Sequence, residues 1–414
     1  MSAATLAVLA LGVVIVASFG TRLNVGILAI ALAWPIATVA AGWNASALLD
    51  TFPTSLFVTL LGVTLLFGLA QANGTMAALT QRVLQLAGGR VGLFPALVFA
   101  LACGISTMGP GAIATLALLA PLAMAAGARA GVPALLTALM LGNGANAGNL
   151  SPFSAVGVIV ADGMAKAGLA GHEWAVWSAN FSAHALAGTG AWLLFGGPRL
   201  WRTPAGASPA NAEPFARQHL LTLAIGALWV IGVVLLKLPL GVSAFAATAF
   251  LLLLGAGDDS ATLKQVPWSV LVMVSGVSML IGVLERTGGM ELFTDLLAHI
   301  ASPGSVNGMM AFVTGAISTY SSTSGVVYPT FLPAVPGLIE RLGGGNALEV
   351  ALSINVGAAL VDVSPISTLG ALCIAALPAT DDPKRLFRQL LTWGLAMSVV
   401  GAMFCQLFIG LFAR

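Results

Sequence analysis

The sequence predicts an all-α polytopic membrane protein of two inverted repeats, each holding five spans, one of them broken, and one re-entrant helical hairpin. Three observations predict it. The chain is 58% hydrophobic and 7% charged, with a mean hydropathy of +1.00, where a soluble protein carries about 25% charged residues. The pattern Ser-Pro-x-Ser-x-x-Gly occurs twice inside long apolar segments, at Ser151, Pro152, Ser154, Gly157 and at Ser364, Pro365, Ser367, Gly370. Two further apolar stretches, 91–128 and 304–340, carry polar and glycine residues at their middles.

A helix needs about 20 apolar residues to cross a bilayer. Residues 3–20 fit a first span. Met1 to Gly20 lacks a basic start and an obvious cleavage site, so it reads as a span and not as a cleaved signal. Spans follow at 24–42 and 53–73, then an amphipathic stretch near 76–88 suited to the membrane interface. In 91–128, Ser106-Thr-Met-Gly-Pro-Gly111 divides two arms of roughly 15 residues, below spanning length, which predicts a hairpin. A broken span at 133–163 and a span at 177–196 complete the first half. The Pro-, Ala- and Arg-rich stretch 197–217 is a linker. The second half, 218–414, repeats the order: spans 219–236, 240–256 and 267–285, an amphipathic stretch near 288–300, a hairpin at 304–340 with Ser318-Thr-Tyr-Ser-Ser-Thr-Ser-Gly325 at its tip, a broken span at 346–378 and a span at 390–411.

The repeat reaches beyond the two breaks. Pro53, Gly62, Gly68 and Gly74 recur as Pro267, Gly276, Gly282 and Gly288, and Ile105-Ser106-Thr107 recurs as Ile317-Ser318-Thr319. Five crossings per half is odd, so the second half enters from the opposite side and the repeats are inverted. With the N-terminus outside, eleven of the sixteen Lys and Arg fall on the cytoplasmic side, as the positive-inside rule requires.

A break inside a span exposes backbone groups that only protein, water or an ion can satisfy. Paired breaks at matching positions point to the substrate site of a secondary transporter. The breaks supply hard oxygen donors for Na⁺: Asn143, Asn146, Asn149, Ser151 and Ser154 in the first, with Asn355, Asp362, Ser364, Ser367 and Thr368 in the second. Asp362 is the sharpest residue. A carboxylate at such depth costs at least ~2.5–3.5 kcal/mol, so it marks a cation or proton site. The alternative is a helix cap, with the carboxylate on N–H groups near Ser364.

The tips offer Ser106, Thr107, Gly109, Pro110 and Gly111, and Ser318, Thr319, Ser321, Ser322, Thr323 and Ser324. Each presents the N-terminus of a second arm, a positive dipole end suited to an anion. No Lys or Arg lies in a tip or break, so a dianion must be held by hydroxyls, amides, helix termini and co-bound cations.

Other polar groups point less sharply. Cys103, Cys373 and Cys405 lack metal or redox spacing and read as core residues. His184 reads as a packing histidine, since no acidic neighbour sits at helical spacing. His172, Glu173 and His299 read as solvated, and Glu285-Arg286 as an interfacial pair; Tyr320 either lines the site or packs on the hairpin. No nucleotide loop, zincin motif or nucleophile elbow appears, so neither an enzyme nor a nucleic-acid binder is expected.

Gly62-Val-Thr-Leu-Leu-Phe-Gly-Leu-Ala-Gln-Ala-Asn-Gly74, followed by Gly88-Gly-Arg-Val91, resembles the N-terminal region of MatC-type dicarboxylate (malonate) carriers. The whole layout looks like the divalent anion:sodium symporter family of the ion transporter superfamily. The resemblance implies an elevator-type carrier, usually a homodimer, lying in the lipid of a bacterial inner membrane and moving a small dicarboxylate with Na⁺. Family members hold carboxylate and Na⁺ with Ser-Asn-Thr at the tips. Here the matching positions are Gly109-Pro110-Gly111 and Ser322-Thr323-Ser324, neither with the Asn.

The expectation is therefore sodium-coupled symport of malonate or a C4 acid. Ser106, Thr107, Gly109, Pro110, Gly111, Ser151, Ser322, Thr323, Ser324 and Ser364 would be at the substrate, with Na⁺ among the break residues. The rivals are proton coupling through Asp362, an arsenite-type anion permease on the same scaffold, and an anion channel.

Overall fold

The computed structural model describes residues 1–20, 23–85, 91–201, 214–319, 321–378 and 381–413. Every regular element among them is helical. Five helices are long and apolar enough to cross a membrane: Thr54–Ala72, Val91–Met108, Gly111–Arg129, Trp268–Arg286 and Pro383–Leu411, with shorter apolar helices between them.

Local chemistry explains where the elements start and stop. Asn24, Ser154, Asn346, Ser367 and Asp382 cap the helices that follow them, each accepting a backbone N–H. Thr54–Ala72 and Trp268–Arg286 follow Pro53 and Pro267, whose backbones match (φ −78°, ψ 68° and φ −78°, ψ 67°). Both end just before a left-handed glycine, Gly74 and Gly288, where the chain turns into the amphipathic helices Thr75–Gln85 and Gly289–Ala298.

Several boundaries differ from the sequence expectation. The first hairpin's arms are 18 and 19 residues long, not roughly 15. Val91–Leu93 adds a 3₁₀ turn ahead of Phe94, and the Ala-rich second arm stays helical to Arg129. The second hairpin departs the other way. Its first arm, Val306–Ser318, has 13 residues. Its second arm is a wide turn, Thr323–Val327, then Tyr328–Phe331, then Val335–Leu342, because Pro329, Pro333 and Pro336 remove helix donors. The last helix starts at Pro383, seven residues before the expected 390, since Asp382 caps it and proline suits a first turn. A short helix, Asp259–Gln265, capped by Asp258, was not expected. Most of the linker (202–213), the Gly88-Gly-Arg stretch and Tyr320 lie outside the described residues.

The halves interlock. Val25–Pro35 crosses Trp268–Arg286 so closely that a Cβ on Gly276 would stand 2.2 Å from the Gly26 carbonyl oxygen. Leu240–Leu253 crosses Thr54–Ala72 the same way, with a Cβ on Gly62 2.2 Å from the Gly241 carbonyl oxygen. Gly62 and Gly276 are repeat mates, so one contact is made twice with the halves exchanged. Small residues allow this backbone approach in lipid, where no hydrophobic force drives helices together. Gly62→Leu and Gly276→Leu should each destabilise the protein by about 1–3 kcal/mol or more, as overpacking does. Gly12→Leu, where a Cβ meets nothing within 4 Å, should leave the melting temperature in detergent unchanged.

Candidate functional site

Both breaks are built alike. Helix Ala134–Asn149 stops, and Ala155–Lys166 begins behind Ser154. The Ser154 hydroxyl accepts from Gly157 N (2.9 Å) and donates to the Asn149 carbonyl. In the second half Ala347–Leu360 stops, and Thr368–Ala375 begins behind Ser367, whose hydroxyl accepts from Gly370 N (3.4 Å) and donates to the Asp362 carbonyl. Gly157 and Gly370 are required here: a Cβ would stand 1.8 Å and 2.1 Å from the carbonyl oxygens of Ser151 and Ser364. The repeated Ser-Pro-x-Ser-x-x-Gly is thus a compact helix restart. Ser367 caps the second half-helix, so Asp362 is not the cap that the alternative reading made it.

Each tip is tied to the break of its own half. Ala112 N–H donates to Asn149 Oδ1 (2.9 Å), Ser151 Oγ to the Thr107 carbonyl (2.5 Å), and Ala155 N–H to the Gly109 carbonyl (3.0 Å). In the second half Thr323 Oγ1 donates to Asp362 Oδ1 (2.6 Å), and the Ser318 hydroxyl, 3.3 Å from the same oxygen, also lies against Thr323 Oγ1, its single proton going to one or the other. Asn149 and its mate Asp362 therefore do one job, receiving the tip. Among the described residues no hydrogen bond reaches Asp362 Oδ2, and Asp362 is part-exposed on the wall of a cavity.

That cavity has a volume of about 470 Å³, within the range of small-ligand sites. Pro110 and Gly111 of the first tip and Ser322, Thr323 and Ser324 of the second line it, with Asn146, Asn149, Asp362, Ser367 and Thr368 from the breaks. Ser106, Thr107, Gly109, Ser151, Ser364, Asn143 and Ser154, expected at the site, are not on its wall. Ser106, Ser151, Ser154, Ser364 and Asn143 are buried behind it. There Ser151 and Ser154 satisfy backbone groups of the restart, and Asn143 Oδ1 accepts from His184 Nδ1 (3.0 Å). They are supports for the wall.

The sequence reading missed the opposite wall: Thr64, Phe67, Gly68 and Gln71 of Thr54–Ala72, and Gln265, Pro267 and Val270 around the start of Trp268–Arg286. Gln71 is a carboxamide in an apolar span, which is the signal that could have found it. No Lys or Arg is among the lining residues, and the ionisable one is Asp362. The donors are carboxylate, hydroxyl and carboxamide oxygens, a set that suits a hard monovalent cation. No three His, Cys, Asp or Glu side chains gather among the described residues.

The fold and cavity place the chain among integral membrane proteins with a transporter fold. It is similar to the YdaH transporter of Alcanivorax borkumensis, a structure of unusual topology: 15% identity, 88% of this chain and 87% of that one, TM-score 0.62. It is also similar to Neisseria gonorrhoeae MtrF, of a class of antimetabolite efflux pumps: 13% identity, 99% and 95% coverage, TM-score 0.59. At these identities the likeness is one of fold. Residues 1–149 match the family model of the dicarboxylate carrier protein MatC N-terminus. No curated protein matches the chain.

Proposed function

We propose that this protein is a secondary active carrier that takes up a small dicarboxylate, malonate or a C4 acid, with sodium, working as a homodimer in a bacterial inner membrane. The observation that carries the reading is the cavity where both tips and both breaks meet, lined by hydroxyls, amides and one carboxylate without a cationic side chain. A dianion beside Asp362 needs co-bound cations, and Na⁺ supplies them without a protein cation. The MatC match over 1–149 supports the dicarboxylate. Labelled malonate uptake into proteoliposomes, with Na⁺ and H⁺ gradients imposed separately, tests it. Accumulation driven by Na⁺ alone is the expected result. Accumulation driven by H⁺ alone would assign coupling to the Asp362 carboxylate, and extrusion from loaded vesicles without uptake would favour an efflux permease.

The reading includes inverted repeats and an elevator movement. The first tip rests on Phe67, toward the end of Thr54–Ala72, and the second on Met273, near the start of Trp268–Arg286. With inverted repeats and the N-terminus outside, both ends are cytoplasmic, so this is an inward-facing state. Exchanging the repeats carries Phe67 to Ile281 and Met273 to Thr59. In the outward-facing state the second tip then rests near Ile281 and the first near Thr59. The bond from Ser18 Oγ to Ser321 Oγ (2.8 Å) must break on the way. A cysteine pair at Ile281 and Ser324 should cross-link in active protein in a fraction that changes with substrate. If that pair never cross-links while transport continues, the elevator reading fails.

A further inference from the structure

Behind the cavity lies a set of carboxamides with unmet hydrogen-bonding capacity. Asn146, Asn180 and Asn355 are each fully buried. Among the described residues, Asn146 Oδ1, Asn180 Oδ1 and both side-chain polar atoms of Asn355 have no partner. They sit on three helices that pack together: Ala134–Asn149, Glu173–Leu194 and Ala347–Leu360. Two hydrogen bonds join the helices that carry them, neither of them to the Asn355 side chain. Asn180 Nδ2 donates to the Asn146 carbonyl (2.7 Å), and Asn146 Nδ2 reaches the Ala359 carbonyl (3.4 Å), one helical turn beyond Asn355. Asn146 also stands at the cavity wall, with its Oδ1 buried, so the set lies directly behind that wall.

Buried polar groups are almost always paired, and an unpaired one carries its full desolvation cost. Four carboxamide atoms without a partner, on three helices that pack together, carry a cost that a bound group would remove. Three carbonyl-type oxygens facing no donor are the chemistry of a hard monovalent cation. Asn355 Nδ2 is then free to hold a water in the ion's shell.

We propose that the side-chain oxygens of Asn146, Asn180 and Asn355 form a cation site, entered from the cavity past Asn146 and separate from the Asp362 carboxylate. It rests on the sodium-coupled reading and adds a coupling ion to it. Asn180 is its distinctive ligand, because it lies on a continuous helix outside both breaks and both tips.

The test uses the purified full chain in detergent without substrate, and reads melting temperature against Na⁺ with choline keeping ionic strength constant. The wild type is expected to rise along a saturating curve. Asn355→Leu should be at least as stable as the wild type in choline, because it removes an unpaired carboxamide. Its Na⁺ half-saturation should rise at least about tenfold, the loss typical when a metal site loses a supporting group. Asn180→Asp should do the reverse: less stable in choline, rescued by Na⁺, with half-saturation lowered about tenfold or more. If Asn355→Leu keeps the wild-type Na⁺ curve, or Asn180→Asp is destabilised equally in both salts, the site is refuted. A Na⁺ response without malonate uptake in proteoliposomes would sink the substrate reading and leave this site standing. A wild type that ignores Na⁺ would sink both the site and sodium coupling.

Discussion

Asp362→Asn is expected to leave the protein folded and to cost it most of its cation dependence. The asparagine keeps an acceptor oxygen where Oδ1 now receives Thr323 (2.6 Å), with the Ser318 hydroxyl 3.3 Å away, so the second tip stays tied. Asn149 at the matching position of the first half holds its own tip with such an amide oxygen (2.9 Å). What disappears is the one ionisable group among the described residues of the cavity wall. Losing a charged ligand should raise the Na⁺ concentration for half-maximal uptake roughly 10- to 100-fold, with the melting temperature in choline close to wild type. Uptake measured against Na⁺ at fixed malonate decides it. Unchanged Na⁺ dependence would reduce Asp362 to a structural acceptor.

Gly109→Ala should nearly abolish transport for a different reason. Gly109 has φ +152° and ψ −45°, a backbone state that side chains disfavour by about 1–3 kcal/mol. A Cβ there would also lie 1.7 Å from the Phe67 ring. That ring is buried and packed edge-on against Trp229 at 6.0 Å, so it cannot step aside freely. The clash falls between tip and span, and it penalises the arrangement in which the tip is closed on Phe67 more than the protein as a whole. Uptake should fall at least about tenfold, the equivalent of ~1.4 kcal/mol. Adding Phe67→Ala should restore part of it, because the clash is relieved and the backbone strain is not. Full activity of Gly109→Ala alone would mean that the first tip does not close on Phe67 during the cycle.

The two helix interruptions were legible because the residues that make them are close neighbours in the chain. Ser154, Ser367, Gly157 and Gly370 act within six residues of themselves, and local spacing reports such chemistry. The cap at Asp382 is just as local, yet apolar length alone put the start of the last helix seven residues late. What sequence could not say is which side of an apolar helix meets which neighbour. Thr54–Ala72 has apolar residues on every side, so apart from the lone carboxamide of Gln71 nothing in its pattern marks the face that meets the cavity. Ser106 and Ser364 are the converse. Their hydroxyls looked like ligands, yet the helices around them close over both. Asn180 shows the same limit, since its meaning comes from Asn146, and only packing brings them together. The uneven hairpins were missed because three prolines in 329–336 act on donor count, while apolar length stays the same.

The glycine crossings have a consequence for how the chain is made. Asn24 bonds the Ser269 carbonyl at a separation of 245 residues (2.8 Å), beside the Gly26–Gly276 contact. The second helix therefore waits for its permanent neighbour until well over half the polypeptide has left the ribosome. Until then the small-residue face of Gly26, Ala29 and Ala33 stands in the bilayer or beside the insertion machinery, open to wrong partners. Contacts of such long range slow folding. The two halves must thus mature as one unit, and a newly made first half is the stage of biogenesis most exposed to quality-control proteases.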